Sequence, residues 1–463
     1  MEVINSLPDF KGALGDARLE KRASDALRQI VRGRNSSIKA ISSNRAEQVG
    51  VYRLLENDLF SEDAIIATLM SKCSELVSDR NVLCFNDTTE FNFERQRGRI
   101  REGSGLGPTG KKDILGFFMH PCLVLDADNG HPLGYSYCKT WNREPGGPDR
   151  IERDYKNQPI EDKESYRWLE CIEQSQEMLS EAASVTMVSD RESDIYELLV
   201  MPRAENTHLL IRYSINRKCT EGKLIDAFLE EQPVKYSFTL EIEADKRIKK
   251  EKRSAIIDVK WATVSVLCPK SHSNKKQLPA KVDLYLVEAR ERNKKGGIMW
   301  RLYTTHVVEN EEQALQIIAW YKMRWYIEQI FRLLKSDGIR IEESQLEEGY
   351  SIRKLTLLAL LAALRILQMM LAYSDCPEQQ PIEEVFTSQE QKCLEKINGS
   401  LEGQTEKLKN IHPPNTLKWA TWVIARLGGW KGYKSQRKPG PIILHKGLIK
   451  FYTMFEGWQL AFI

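Results

Sequence analysis

The chain has 463 residues, 41% of them hydrophobic and 29% charged, the make-up of an ordinary globular protein with room for roughly two to four domains. No uninterrupted apolar run reaches the ~18 residues of a membrane span, and the start, MEVINSLPDFKGALGD, has neither the basic nor the apolar segment of a secretory leader. The net charge is only +3, yet Phe10 to Leu55 holds ten Lys/Arg against four Asp/Glu.

Further basic stretches are KRIKKEKR (246–253) and WKGYKSQRK (430–438). Such patches on a near-neutral chain suit a polyanion, and they suit solvated loops equally well. The nine cysteines stand singly with no CxxC pair, and the seven histidines show no HExxH or HxxxH spacing. A zinc knuckle and a disulfide frame are therefore not expected, and a reducing cytoplasm is. A metal, if one is needed, would fall to carboxylates.

In chain order, Gly15 to Val77 reads as helical. Asp16 can cap ARLEKRASDALRQIVR, with Gly33 as its stop, and Asn44 with Glu47 offers a capping box for RAEQVGVYRLLEN. A third helix is expected in SEDAIIATLMSKCSELV. Three short basic helices suggest an N-terminal helical DNA-binding domain over residues 1–78; a plain helical dimer arm is the alternative.

From Asn81 the pattern changes. NVLCFNDTTEFNF reads as a strand, and ILGFFMHPCLVLDADNGHPLGYSYCKTW as a hairpin turned at Asp128-Asn129-Gly130. KESYRWLECIEQSQEMLSEA follows as a helix, VTMVSD as a buried strand, SDIYELLVM as a helix and HLLIRYSI as a strand. That order is the order of an α/β, RNase H-like core. Four more strand patterns, YSFTLEIEA, SAIIDVKWATVSVLCP, VDLYLVEA and MWRLYTTHVV, form a β-strand insertion at about 220–305 within a catalytic domain of 79–374. One long helix is expected from an Asn310 cap, with Gln313 at its third position, to just before Asp337-Gly338. The apolar helix SIRKLTLLALLAALRILQMMLAY packs behind it. CPEQQPIEE is a linker, and 375–463 forms a C-terminal helical domain.

The segment YKMRWYIEQIFRLLK (321–335) concentrates polar function. On one continuous helix at about 100° per residue, Tyr321, Arg324, Glu328 and Lys335 share an arc about 60° wide. Ile327, Ile330, Phe331 and Leu334 fall on another side as its core face. A solvated stripe with an Arg324–Glu328 pair is the plain alternative. Asp87, in FNDTT, and Asp190, in MVSDRESD, each close an apolar strand. In an RNase H-like sheet those strands are neighbours, so Asp87, Asp190 and Glu328 can converge. Three acidic ligands suit two Mg²⁺ ions, with Mn²⁺ as a substitute, and the in-line displacement at phosphorus that such a pair supports. GLGPTGKK (105–112) approaches a phosphate-binding P-loop, but Lys112 stands where a hydroxyl is required and a strand pattern follows.

The spacing Tyr321-x2-Arg324-x3-Glu328-x6-Lys335, together with FNDTT and SDRESD, resembles the YREK signature and aspartate blocks of the insertion-sequence-four group of bacterial cut-and-paste transposases. VYRLLEN and WVIARLGGW extend the likeness over almost the whole chain. The resemblance implies a DDE site of Asp87, Asp190 and Glu328 and a DNA hairpin intermediate. It implies that Trp300 stacks on a flipped base, that Tyr321, Arg324 and Lys335 hold its phosphate, and that Arg212 makes a further DNA contact. It also implies N-terminal helices that read the transposon end, a C-terminal helical dimerisation domain, and a homodimer on the DNA. A DDE-type nuclease that nicks without joining, and a non-catalytic DNA-binding regulator, are the other readings. The role of loop 96–112 stays open.

Overall fold

The computed structural model describes residues 7–110, 114–146, 158–242, 251–270, 272, 275–294, 296–336, 338–374, 380–405, 408–433 and 436–460. Parts of loop 96–112, of the basic stretches 246–253 and 430–438, and of the 376–384 linker lie outside them.

Asp16 caps α1 (Ala17–Gly33) by accepting hydrogen bonds from the Arg18 and Leu19 amides. The helix runs through the expected stop at Gly33 and turns off on Arg34, which adopts φ 46° in the left-handed region. A single turn, α2 (Ile38–Ile41), was too short to leave a periodic pattern. After it come α3 (Arg45–Leu55) and α4 (Glu62–Ser74), so this region holds four helices rather than three. Asn44 caps α3 by accepting from the Glu47 amide at 2.9 Å, while the Glu47 carboxylate takes the Ser43 amide, one residue upstream of the capping-box pattern.

The strand expected at Asn81–Phe93 is two, β1 (Asn81–Asn86) and β2 (Thr89–Asn92), parted at Asp87-Thr88. Next come β3 (Gly107–Thr109), β4 (Ile114–Asp126) and β5 (Pro132–Trp141). The β4–β5 turn is where the sequence places it: the Asp126 carboxylate accepts from Asp128 N at 2.9 Å, and Gly130 takes φ 74°. Then follow α5 (Tyr166–Met178), β6 (Ser184–Ser189), α6 (Tyr196–Val200), β7 (Thr207–Arg212) and α7 (Ile225–Glu231). The insertion supplies β8 (Tyr236–Ile242), β9 (Arg253–Leu267), β10 (Lys281–Glu291) and β11 (Met299–Thr304).

The long helix expected from Asn310 to Lys335 is also two. Asn310 caps α8 (Glu311–Met323) through the Gln313 amide at 3.0 Å, and α9 (Trp325–Lys335) begins after a single intervening residue, Arg324. The chain closes with α10 (Gly349–Ser374), α11 (Ser388–Leu401), α12 (Leu417–Leu427) and α13 (Pro441–Leu460).

By packing, the chain divides into two compact units. Unit one comprises Met1–Arg80, Thr88–Gly147 and Tyr326–Ile463; unit two comprises Asn81–Asp87 and Pro148–Trp325. Both are mixed α/β. In unit one β4 pairs antiparallel with β2, β3 and β5. Its core is α10, against which α1, α3, α4, α12 and α13 pack. α10 is long and apolar enough to cross a membrane by composition, and 94% of its apolar window is buried inside the protein. The N-terminal and C-terminal helices thus share one unit, a grouping that the three sequence segments do not display.

In unit two the strands run β1-β6-β7-β11-β10-β9-β8. β1, β6 and β7 are parallel and the remaining pairs antiparallel. β11 pairs directly with β7, so the inserted strands lengthen this sheet rather than forming a separate layer.

Candidate active site and nucleic-acid face

The parallel register of unit two fixes which residues meet at the strand ends. Asn81 pairs with Ser184, and the alignment continues through Phe85 with Val188. Carried two residues further, it sets Asp87 beside Asp190. Between β6 and β7, Val185 pairs with Thr207 and Ser189 with Ile211, which sets Arg212 beside Asp190 in turn. β11 runs antiparallel to β7, with Leu302 opposite Arg212, so Trp300 near its amino end lies at this same edge. In open α/β sheets the crevice outside the carboxyl ends of parallel strands is where ligands bind.

A buried bond locks the edge from behind. The Ser189 hydroxyl donates to Asn86 Oδ1 at 2.7 Å, and the Asn86 amide contacts the Cys171 sulfur of α5 at 3.3 Å. Both residues immediately precede the aspartates, so this contact holds the two backbones level where their side chains emerge.

The end of α8 joins the edge. The Trp300 and Tyr321 rings meet edge-on, centroids 5.9 Å apart. Tyr321 is 5% exposed, with its hydroxyl buried near the Arg212 side chain. Burial raises its pKa, against the pull of the nearby Arg324 and Arg212 cations. Arg324 Nη1 donates to the Asp87 carboxylate at 2.8 Å. Asp190 accepts from the Glu192 amide at 2.8 Å. Six of the sequence-predicted residues, Asp87, Asp190, Arg212, Trp300, Tyr321 and Arg324, therefore belong to one unit.

Arg167 of α5 is a neighbour that the sequence did not single out. Its guanidinium donates to Glu192 at 2.8 Å and to the Glu164 carbonyl at 2.7 Å. Burial lowers its pKa, while Glu192, Glu164, Asp87 and Asp190 oppose the shift. The Arg-Trp pair in YRWLEC was the one available signal.

Glu328 and Lys335 belong to the other unit, on α9. Glu328 sits in the first turn of that helix, which favours an anion. Ile327, Ile330, Phe331 and Leu334 form its buried face, as the periodicity predicts. The Lys335 ammonium lies 5.2 Å from the centre of the Phe91 ring. Burial lowers its pKa, with Glu342 and Glu90 opposing. Among the described residues no three His, Cys, Asp or Glu gather closely enough to hold a metal ion. The strand edge offers two hard-oxygen donors, Asp87 and Asp190, of the kind that suits Mg²⁺.

The second basic surface lies in unit one. Arg18, Lys21, Arg22, Arg28 and Arg32 of α1 face α3 across an open groove of about 1070 Å³, with Tyr452, Thr453 and Glu456 of α13 forming another wall. Residues 10–59 match the family model described as Transposase DNA-binding. The match covers α1, α2 and α3, and it supports a DNA transposase that binds DNA. A cryo-EM structure of a piggyBac transposase synaptic complex with hairpin DNA is also similar, at 11% identity and a TM-score of 0.30. The likeness covers 70% of this chain and 57% of that one, and at that score it bears on neither fold nor chemistry.

Within the matched segment the basic residues divide. Arg34 is 1% exposed, and its guanidinium lies over the Tyr452 ring at 5.3 Å. Burial pulls its pKa down to about 10. Arg32 pairs with Glu390 at 3.2 Å and also lies over Tyr452. These two arginines tie α1 to the C-terminal helices, whereas Arg18, Lys21, Arg22, Lys39, Arg45 and Arg53 are exposed to solvent. A count of positive charges cannot separate the two groups.

Proposed function

We propose that this protein is a DNA transposase of the DDE type, performing cut-and-paste transposition of a bacterial insertion sequence. The observation that carries the reading is the level edge of Asp87, Asp190 and Arg212 beside the Trp300–Tyr321 ring pair. Carboxylates, cations and stacking surfaces meet there at adjacent strand ends. The match at residues 10–59 supplies a DNA-binding module in the same chain. On this reading the core is RNase H-like, the protein acts as a homodimer on DNA, and the order of motifs is most like that of the transposase of transposon five.

Asp87, Asp190 and Glu328 would hold two divalent ions, Mg²⁺ or Mn²⁺, which when bound activate the attacking oxygen and stabilise the leaving one. The remaining roles belong to the chain itself. The N-terminal helices neutralise phosphates of the transposon end. Nicking frees a 3′-hydroxyl, which attacks the opposite strand to give a hairpin; water reopens it, and the freed end joins target DNA. Hairpin closure bends the strand sharply enough to extrude a base. Trp300 offers it a ring to stack on, Tyr321, Arg324 and Lys335 hold its phosphate, and Arg212 makes a further DNA contact.

The test is incubation of the full chain with Mg²⁺, a linear duplex carrying the flanking ends of its own element, and a target plasmid. Denaturing gels resolve nicked, hairpin and joined products. All three products are expected. Nicks alone would make the protein a DDE-type nuclease without joining activity, and retarded but uncut DNA would make it a non-catalytic regulator of transposition.

A further inference from the structure

We infer that Arg324 is an exchangeable counter-ion: in the DNA-free protein it occupies Asp87, and it releases that carboxylate to a divalent cation when a DNA phosphate takes its place. The inference rests on Asp87 being a metal ligand, as proposed above.

The geometry differs between the two aspartates of the edge. Asp190 spends a carboxylate oxygen on an uncharged backbone amide, at 2.8 Å. Asp87 gives an oxygen to a full guanidinium, also at 2.8 Å, with the two side chains only 15% and 20% exposed. A carboxylate that faces a cation in so sheltered a place is a poorer ligand for a second cation, because two positive charges within about 4 Å repel strongly. Guanidinium and metal therefore compete for Asp87.

Arg324 is built to change partner. It is the single residue between α8 and α9, and its amide bonds the Tyr321 carbonyl at 3.1 Å, three residues back, as in a tightened final turn. Its planar fork matches phosphate as well as carboxylate. The buried Tyr321 hydroxyl stands near it, with the Arg212 cation also close by. A phosphate arriving at this place would draw the guanidinium off Asp87 and so remove one competing positive charge from that carboxylate. Metal loading would then follow DNA engagement, and a free protein would carry an incompletely charged site.

The exchange is tested by titrating Mn²⁺ into the full-length DNA-free protein, counting free ion by electron paramagnetic resonance. Arg324→Gln should tighten the strongest site about tenfold, the scale of one charge-assisted hydrogen bond. Arg324→Lys keeps the charge and should stay within about threefold of wild type. Asp87→Asn placed on top of Arg324→Gln should erase the gain. Wild type needs no substitution to be informative: adding a transposon-end duplex should tighten its Mn²⁺ binding by a similar factor, and bring it level with Arg324→Gln. Unchanged Mn²⁺ affinity in folded Arg324→Gln, or no tightening of wild type by DNA, overturns the exchange. If instead Asp87→Asn leaves Mn²⁺ binding to the DNA complex untouched, the assignment of Asp87 as a ligand fails, whatever Arg324 does.

Discussion

The two ends of the parallel strands in unit two treat titratable groups in opposite ways. Beyond the carboxyl ends, Asp87 and Asp190 are carboxylates answered by nearby cations, within reach of solvent. Toward the amino ends, the His208 and His306 rings stack with centroids 4.0 Å apart, and His306 hydrogen-bonds to the Thr186 hydroxyl at 2.8 Å. Burial, with His208 beside it, drives the His306 pKa down to about 3. One end sets cations beside acids; at the other, burial disfavours a charged imidazole. The backbone is the same, so the difference lies in the neighbours that stand at each end: cations beside the aspartates, a second imidazole beside His306.

The same division runs inside SDRESD. Four residues after Asp190, Asp194 is 2% exposed and saturated: it is ion-paired to Arg217 and accepts from the Ser214 and Ile215 amides at 2.7 and 2.8 Å. A carboxylate so engaged is committed to the fold, and it ties the loop after β6 to the loop after β7. Asp190→Asn should therefore lower cleavage by many powers of ten, as should Asp87→Asn and Glu328→Gln, with the melting temperature nearly unchanged. Asp194→Asn should do the reverse and cost about 3–5 kcal/mol of stability, because it strands a buried arginine. Gel cleavage assays beside thermal melts read both. An Asp194→Asn protein that melts normally yet does not cut would erase the distinction between the two aspartates.

How much of this was legible follows from what each signal consists of. Asp87 and Asp190 stood out because an apolar strand run stops at each, and the β4–β5 turn because Asp-Asn-Gly carries its own backbone preference. The break at Arg324 left no trace: the residues around it include no Gly or Pro, so an unbroken wheel fitted the sequence. The division of the signature between two compact units was invisible for the same reason. Arg167 was missed because its importance lies in what α5 packs against, and Arg32 and Arg34 were counted as surface charge because burial does not appear in composition.

A smaller effect separates stacking from support at the charged end. Trp300 touches Tyr321 edge-on and is only partly buried, so it retains surface for a further ring. Trp300→Ala should reduce hairpin formation about tenfold or more, since stacking on a base is worth roughly 1–3 kcal/mol. First-strand nicking, which extrudes no base, should change little. Timed denaturing gels give the two rates separately, and an equal loss of both would make Trp300 a packing residue.

The smallest effect belongs to the uncharged end. His306 has an ordinary value near 6.5 when unfolded and about 3 when folded. Between those values the unfolded chain binds a proton that the folded protein refuses. Stability is therefore fully present above about pH 6.5 and is lost as pH falls through the window toward 3. Allowing for the partial exposure of the ring, the slope from His306 is about 1 kcal/mol per pH unit at the most. His208, lowered by burial and by Arg203, adds in the same direction. His306→Gln keeps an acceptor for Thr186 but cannot titrate, so its melting temperature should fall less than that of wild type between pH 7 and pH 5. Carboxylates elsewhere contribute equally to both proteins and cancel in the difference. Parallel melting curves would mean that His306 carries its proton in the folded state, and the contrast between the two strand ends would then rest on the aspartates alone.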